Sequence, residues 1–121
     1  MTVGHIGVES EGEAVVLVLL GEHDLSTVPD VRAAVDEAVG SGRDVIVDLA
    51  QTEFIDSSIL GVLVAGYRRV TAESEPHRSF AVVARPEGPV TRLFDLVAIS
   101  DVIQVYPTRG AAIAGLNGAA G

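Results

Sequence analysis

The side chains best placed to do chemistry in this sequence stand together at Asp56-Ser57-Ser58, inside the segment Phe54-Ile55-Asp56-Ser57-Ser58-Ile59-Leu60-Gly61-Val62-Leu63. There an acid and two adjacent hydroxyls interrupt two apolar runs. A structural role accounts for one of the three. At a helix start, a side-chain oxygen accepts a hydrogen bond from an otherwise unpaired backbone N–H, worth about 1 kcal/mol. It does not account for three polar residues in succession. A helix N-terminus also attracts anions through its free N–H groups and the helix dipole. A phosphate added at Ser57 can therefore sit there without unfolding the domain. It would bring a charge of about −1.5 to −2 to a surface that a partner must touch. On these residues alone, cap and phosphate address both stay open.

Other chemistries fit less well. A serine hydrolase needs a base, an oxyanion hole and, on a strand-to-helix turn, the pattern Gly-x-Ser-x-Gly. Here Asp56 precedes Ser57 and Ser58-Ile59 follows it, so the pattern is missing. His5, His23 and His77 fall in expected loops or an edge strand, without metal-ligand spacing. Asp24, Asp48 and Asp56 can converge at one end of a sheet and hold Mg²⁺ through waters; alternatively each caps a turn or helix. A receiver-like phosphoacceptor aspartate would need a lysine to meet the phosphoryl group. The chain has eight arginines and no lysine. It has no cysteine either, which excludes disulfides, thiolate metal sites and a cysteine nucleophile.

Charge bounds the partners. At a net −9 the chain lacks the clustered positive charge that nucleic acid binding requires. Arg68-Arg69 is the nearest thing to a basic cluster, so a role in transcription would have to run through a protein. The longest apolar run, Ala14 to Leu20, is far shorter than the roughly 20 residues that span a bilayer. The opening MTVGHIGVESEGE has neither the basic region nor the apolar core of a signal peptide. A soluble cytoplasmic protein without membrane contact is the expectation.

The elements that must position these residues can be read from periodicity. At 121 residues, 48 % of them hydrophobic, the chain makes one domain, residues 1–121. Ala14 to Leu20 reads as a buried strand bounded by Gly12 and Gly21, after a weaker edge strand at His5 to Val8 and a turn at Ser10-Glu11-Gly12. A helix follows, capped by Ser26 or Thr27, with Pro29 in its first turn and Val28, Val31, Val35 and Ala38 at helical spacing. Gly40 is expected to close it in the left-handed conformation. Asp44 to Leu49 is a strand, Ala50 to Phe54 a loop, and Ser57 to about Thr71 a helix largely buried over its first half. Ser74-Glu75-Pro76-His77 breaks it. Phe80 to Ala84 is a strand, Pro86 to Pro89 a turn, Val90 to Val97 a short helix, and Val102 to Tyr106 a strand. Thr108 caps a last helix through Leu116, and the tail from about residue 117 is expected to fray. Strands alternating with helices imply an α/β domain with a mostly parallel sheet.

Several of these segments resemble the STAS domain of bacterial anti-sigma-factor antagonists. They are Gly21-Glu22-His23-Asp24-Leu25 after a buried strand, Val47-Asp48-Leu49, and Phe54-Ile55-Asp56-Ser57-Ser58-x-Leu60-Gly61. The likeness continues through Leu93-Phe94-Asp95-Leu96, Ile99-Ser100-Asp101-Val102-Ile103 and Val105-Tyr106-Pro107. It implies a small mixed, mostly parallel sheet with helices mainly on one side, the second helix starting at a phosphoacceptor. It also implies partner switching. The unphosphorylated antagonist binds an anti-sigma factor, itself often a serine kinase using ATP, and so frees a sigma factor. Phosphorylation ejects the antagonist and a serine phosphatase restores it. No cofactor is involved, and the chain is a substrate, not an enzyme. By position the acceptor is Ser57, and the partner surface takes Asp24, Asp56, Ser57, Ser58, Ile59 and Gly61. A STAS scaffold that is never phosphorylated is the alternative.

Two positions depart from the family pattern. Ile59 stands where glycine is usual, so its side chain is expected to be at least partly exposed at the partner surface. Ile59→Gly would then cost about 1 kcal/mol. Ala98 stands where a glycine commonly closes the short helix, and is expected to avoid the left-handed conformation.

Overall fold

Seven consecutive apolar residues, Ala14 to Leu20, suit a strand covered on both faces. The computed structural model is built around that strand. It describes residues 4–72 and 78–120, the last four in backbone only. Along the chain lie β1 (His5–Glu11), β2 (Ala14–His23), a 3₁₀ turn (Leu25–Thr27), α1 (Val28–Gly40), β3 (Asp44–Asp48), β4 (Thr52–Ile55) and α2 (Ser57–Thr71). They are followed by β5 (Phe80–Val83), α3 (Pro89–Val97), a second 3₁₀ turn (Ile99–Asp101), β6 (Gln104–Tyr106) and α4 (Arg109–Ala120).

The strand order is β1-β2-β3-β5-β6, with β4 paired to the far end of β2. Among the described residues only the β1–β2 hairpin is antiparallel; the other pairs are parallel. Alternation along the strands splits the core into two layers. Val15, Leu17 and Leu19 of β2, with Val45, Val47, Phe80 and Val82, pack against α1, α2 and α3. Val16, Val18, Ile46, Ala81 and Val83 face the other way and meet Ala112 and Leu116 of α4. The architecture is the expected one: a mixed, mostly parallel sheet with helices mainly on one side. Among the described residues no helix is long and apolar enough to cross a membrane.

Local boundaries differ in instructive ways. The segment Ala50 to Phe54, expected to be a loop, contains most of β4. Parallel pairing of β2 with β3 ends at Val18↔Asp48, which leaves the second half of β2 without a neighbour on that side. After Leu49 the chain turns and pairs with β2 again, from Gly21↔Thr52 to His23↔Ile55, across an irregularity at Gly21/Glu22. The buried Thr52 hydroxyl donates to the Leu19 carbonyl at 2.6 Å. The hairpin turn falls at Gly12-Glu13, because Glu11 still pairs with Ala14. Gly40 is the last residue of α1, and the left-handed residue that follows is Gly42 (φ +78°). Neither Ser26 nor Thr27 caps α1 with its side chain; Asp24 instead caps the 3₁₀ turn ahead of it. Thr108 does cap α4, its Oγ1 accepting from the Ala111 N–H at 3.0 Å. The expected helix break at Ser74 to His77 and the side chains of the tail from 117 lie outside the described residues.

Ala98 is a correction of another kind. It adopts φ 52°, ψ 43°, the left-handed conformation it was expected to avoid. The chain has to reverse there, because α3 ends at Val97 and Ile99 drops into the core one residue later. The demand of the core for Ile99 outweighs a local cost of about 1–2 kcal/mol for an L-residue in that region. Ala98→Gly is therefore expected to raise stability by about 0.5–1 kcal/mol, net of the added chain entropy of the unfolded state. Urea unfolding would show a higher midpoint at unchanged slope; a lower midpoint would contradict the strain.

Candidate functional site

Two neighbouring parallel strands deliver the acidic residues together. His23 and Ile55 are register partners at the ends of β2 and β4, so Asp24 and Asp56, one residue further on each, emerge side by side. Asp56 leaves β4 with extended backbone (φ −108°, ψ −179°) and caps α2. Its Oδ1 accepts from the N–H of Ser58 at 3.0 Å and of Ile59 at 3.4 Å, and from the Ser58 hydroxyl. Its Oδ2 accepts from the Leu25 N–H at 3.1 Å. One carboxylate thus holds both the start of α2 and the loop after β2. Asp24 in turn accepts from the Ser26 N–H at 2.9 Å and the Ser26 hydroxyl at 2.5 Å. The Ser26 hydroxyl, followed by its amide, holds the Asp24 carboxyl below its ordinary value of 3.8. This contact therefore contributes to the loop above that value and is lost only as pH falls through the lowered one.

The two serines have different employment. Ser58 is half-buried and its hydroxyl is committed to Asp56. Ser57 is exposed, and its hydroxyl has no hydrogen-bond partner among the described residues. That resolves the run of three polar residues: Asp56 caps, Ser58 braces the cap, and Ser57 is left free. It also narrows an expectation, since Asp56 already takes two of the N–H groups on which an added phosphate was to rest.

Ile59 is not at this surface. It is 0 % exposed and packs in the layer between α2 and the sheet. The buried stripe of α2 runs through Ile59, Val62, Leu63, Gly66 and Val70, while Ser57, Gly61, Ala65 and Arg68 face outward. Position 59 lies almost opposite Ser57 on a helix of 3.6 residues per turn, so it cannot share that face. Gly61 does share it: a Cβ built there meets nothing within 4 Å. Asp24, Asp56, Ser57 and Ser58 are therefore brought together, Gly61 lies one turn along the same face, and Ile59 does not join them.

Sequence reasoning missed the groove beside Ser57. It encloses about 480 Å³ between the outward face of α2, at Leu60, Gly61 and Val64, and the α3–β6 connection, at Val97 and Val102. Leu96, Val97 and Val102 are 82 %, 49 % and 44 % exposed. Leu25 and Phe54, beside the two aspartates, are 71 % and 46 % exposed. Of these, Val97 and Val102 line the groove itself, and exposed apolar side chains that cluster are a feature of interaction surfaces. A usable signal was available at Leu96-Val97, two apolar residues on a short helix whose buried positions are Val90 and Phe94.

Asp48 stands apart from Asp24 and Asp56. Its Oδ1 accepts from the Ala50 N–H at 2.9 Å, and its Oδ2 from Arg109 Nε and Nη2 at 3.1 and 3.0 Å. Arg109 also donates to Glu9 at 2.9 Å, and the bond to Glu9, ahead of those to Asp48, pushes its guanidinium further toward the charged form. Among the described residues no group of three or more acidic or imidazole side chains is placed to hold a metal ion.

Asp56→Ala removes the cap and the tether at once. The expected cost is about 1–2 kcal/mol, the upper range for an N-cap, with faster amide exchange at Leu25, Ser58 and Ile59. Unchanged exchange at Leu25 would show that the loop is held by other contacts.

The chain matches the family model described as "Mlab, STAS domain" over residues 6–104. It is 26 % identical, over 103 residues, to the anti-sigma-B factor antagonist of Listeria monocytogenes, covering 84 % of this chain and 87 % of that protein. The crystal structure of an anti-sigma factor antagonist from Mycobacterium paratuberculosis superposes with a TM-score of 0.83 at 26 % identity, covering 95 % of each chain. The Bacillus cell fate determinant SpoIIAA in its phosphorylated form has the same fold, with a TM-score of 0.65 at 24 % identity, covering 91 % of this chain and 97 % of that one. With that match over residues 6–104, the chain belongs to the STAS domain family.

Proposed function

We propose that this protein is an anti-sigma-factor antagonist acting in the cytoplasm. In its unphosphorylated state it binds an anti-sigma factor through the surface formed by Asp24, Asp56, Ser57 and Gly61 and the adjoining apolar groove. That partner is a serine kinase using ATP, and it inactivates the antagonist by phosphorylating Ser57; a serine phosphatase reverses the step. The observation that carries this reading is the free Ser57 hydroxyl, exposed at the start of α2 beside a groove with uncovered apolar walls. The names of relatives support the partner class, and one fold neighbour exists in a phosphorylated form.

In the transfer, Ser57 Oγ attacks the γ-phosphorus of ATP. The new O–P bond forms as the bond to the β-phosphate oxygen breaks, ADP leaves, and the hydroxyl proton passes to a base on the kinase. No base is hydrogen-bonded to Ser57 among the described residues, which favours a substrate's hydroxyl over a catalytic nucleophile.

The test is intact-mass analysis after incubation with ATP and the kinase that co-purifies with the protein. The wild type and Ser58→Ala are expected to gain one phosphate and Ser57→Ala none. A phosphate mapped to Ser58 would overturn the residue assignment. No mass gain with an active kinase that binds the chain would favour a scaffold that is never phosphorylated.

A further inference from the structure

The end of β2 carries a buried titratable side chain that the Ser57 reading leaves unused. His23 is 0 % exposed. Its Nε2 lies 3.2 Å from the His5 carbonyl oxygen and 3.1 Å from the Leu20 carbonyl oxygen. Both are acceptors only, so Nε2 carries a proton whichever charge the ring has. The atom at which the ring can gain or lose a proton is therefore Nδ1, which faces Thr27 Oγ1 at 3.1 Å.

Thr27 has a second partner, because its Oγ1 is also 3.1 Å from the Asp24 carbonyl oxygen. With a neutral ring the hydroxyl donates to Nδ1. With a charged ring Nδ1–H donates to Oγ1, and the hydroxyl turns to donate to the Asp24 carbonyl. Rotation of one hydroxyl thus satisfies either state, so a buried ring can exchange its proton without orphaning a polar atom.

The ring itself is covered, but a pocket beside it opens toward solvent and acidic side chains lie around it. Gly4 lies over the ring, and a Cβ there would fall 2.9 Å from His23 Cε1. A cavity of about 270 Å³ above it is lined by His5 of β1 and by Thr27 and Asp30 at the start of α1. From β4 the register partner is the uncharged Ile55, followed by Asp56. Glu22 and Asp24 flank His23 in the chain.

We propose that His23 is the positioning residue of the loop that carries Asp24, and that protonation of its ring redirects the Thr27 hydroxyl from Nδ1 to the Asp24 carbonyl and so changes how that loop is held. The signal has a physical route to Ser57: Leu25, inside this loop, donates to Asp56, which caps α2. The inference concerns the free chain, so its outcome is separate from that of the phosphorylation reading.

The experiment is NMR of the isolated chain from about pH 5 to about pH 8, the window in which imidazoles ordinarily change charge. Ring ¹⁵N shifts and backbone amides are both followed. The expected result is that His23 Nδ1 titrates while Nε2 stays protonated, and that the amides of Leu25 and Thr27 shift with the same midpoint. Thr27→Val leaves a charged ring with a buried, unaccepted Nδ1–H, so the midpoint should move to lower pH by about one unit or more. Thr27→Ser should restore it, and His23→Gln should abolish the loop shifts. A neutral ring protonated on Nδ1, a ring that does not titrate, or loop shifts surviving in His23→Gln would overturn the proposal. If the valine or glutamine variant fails to fold, the wild-type tautomer and its shared midpoint with the loop still decide it.

Discussion

Ile59→Gly is expected to destabilise the domain by about 3–6 kcal/mol. Removing a fully buried aliphatic side chain costs about 2–5 kcal/mol, and glycine inside a helix adds about 1 kcal/mol over alanine. Ile59 has no exposed surface and sits over the sheet in the first turn of α2. A domain of this size holds only about 5–15 kcal/mol in total, so the variant should melt far earlier and populate unfolded chain at room temperature. This is several times the cost expected when the side chain was placed at the partner surface. Urea denaturation of the purified variant is the measurement; a loss under about 1.5 kcal/mol would mean that Ile59 is not in the core. The branched side chain therefore does not stand between Ser57 and an approaching kinase.

Phosphorylation of Ser57 is expected to weaken binding to the anti-sigma factor by at least tenfold. The phosphate arrives next to Asp56 and near Asp24, on a chain already at −9. Repulsion between close charges at an effective surface dielectric is on the order of a few kcal/mol, and about 1.4 kcal/mol is tenfold in affinity. The fold has little reason to respond. Asp56 already caps the N–H groups of Ser58 and Ile59, so the phosphate gains few new bonds and breaks none. Titration calorimetry of both forms should show the loss in affinity, with Ser57→Asp weaker in effect than the true phosphate. Circular dichroism and the cooperative melt should be unchanged. Equal affinities would sink the electrostatic account; a lost melt would replace it with a conformational one.

The frame was legible because hydrophobic patterning is strong here. Ala14 to Leu20 and Asp44 to Leu49 read as buried strands, and the 3.6-residue spacing of Val28, Val31 and Val35 gave α1. Asp56 and Ser57 stood out because an acid and two hydroxyls interrupt two apolar runs, whereas Asp24 was placed at the partner surface beside them only by the resemblance to the STAS family. What escaped was set by tertiary demand. β4 exists because β2 outruns β3, a mismatch visible only once the strands are paired. Ala98 is left-handed because Ile99 must reach the core. The direction of Ile59 could have been read from the helical wheel, since Val62, Leu63 and Val70 lie on its side and Ser57 does not. The family glycine drew attention to the position instead. The hydrogen bonds of His23 were hard to read, because two of its three partners are the backbone carbonyls of Leu20 and His5, which carry no sequence signature.

The two-layered core also puts one helix, α4, on the face of the sheet away from the proposed partner surface. α4 closes the back of the sheet through Ala112 and Leu116 and is pinned by Arg109 to Glu9 and Asp48. None of its described side chains belongs to the front layer that supports α2. An excursion that lifts α4 would bare Val16, Ile46 and Ala81 while leaving the cap at Asp56 and the loop at Asp24 in place, a sub-global opening of the kind native proteins sample. Drift in α4 would then be felt as turnover and abundance, whereas the proposed partner surface lies on the opposite face. The sheet stands between the two, so a substitution in α4 can change lifetime while leaving the groove beside Ser57 unaltered.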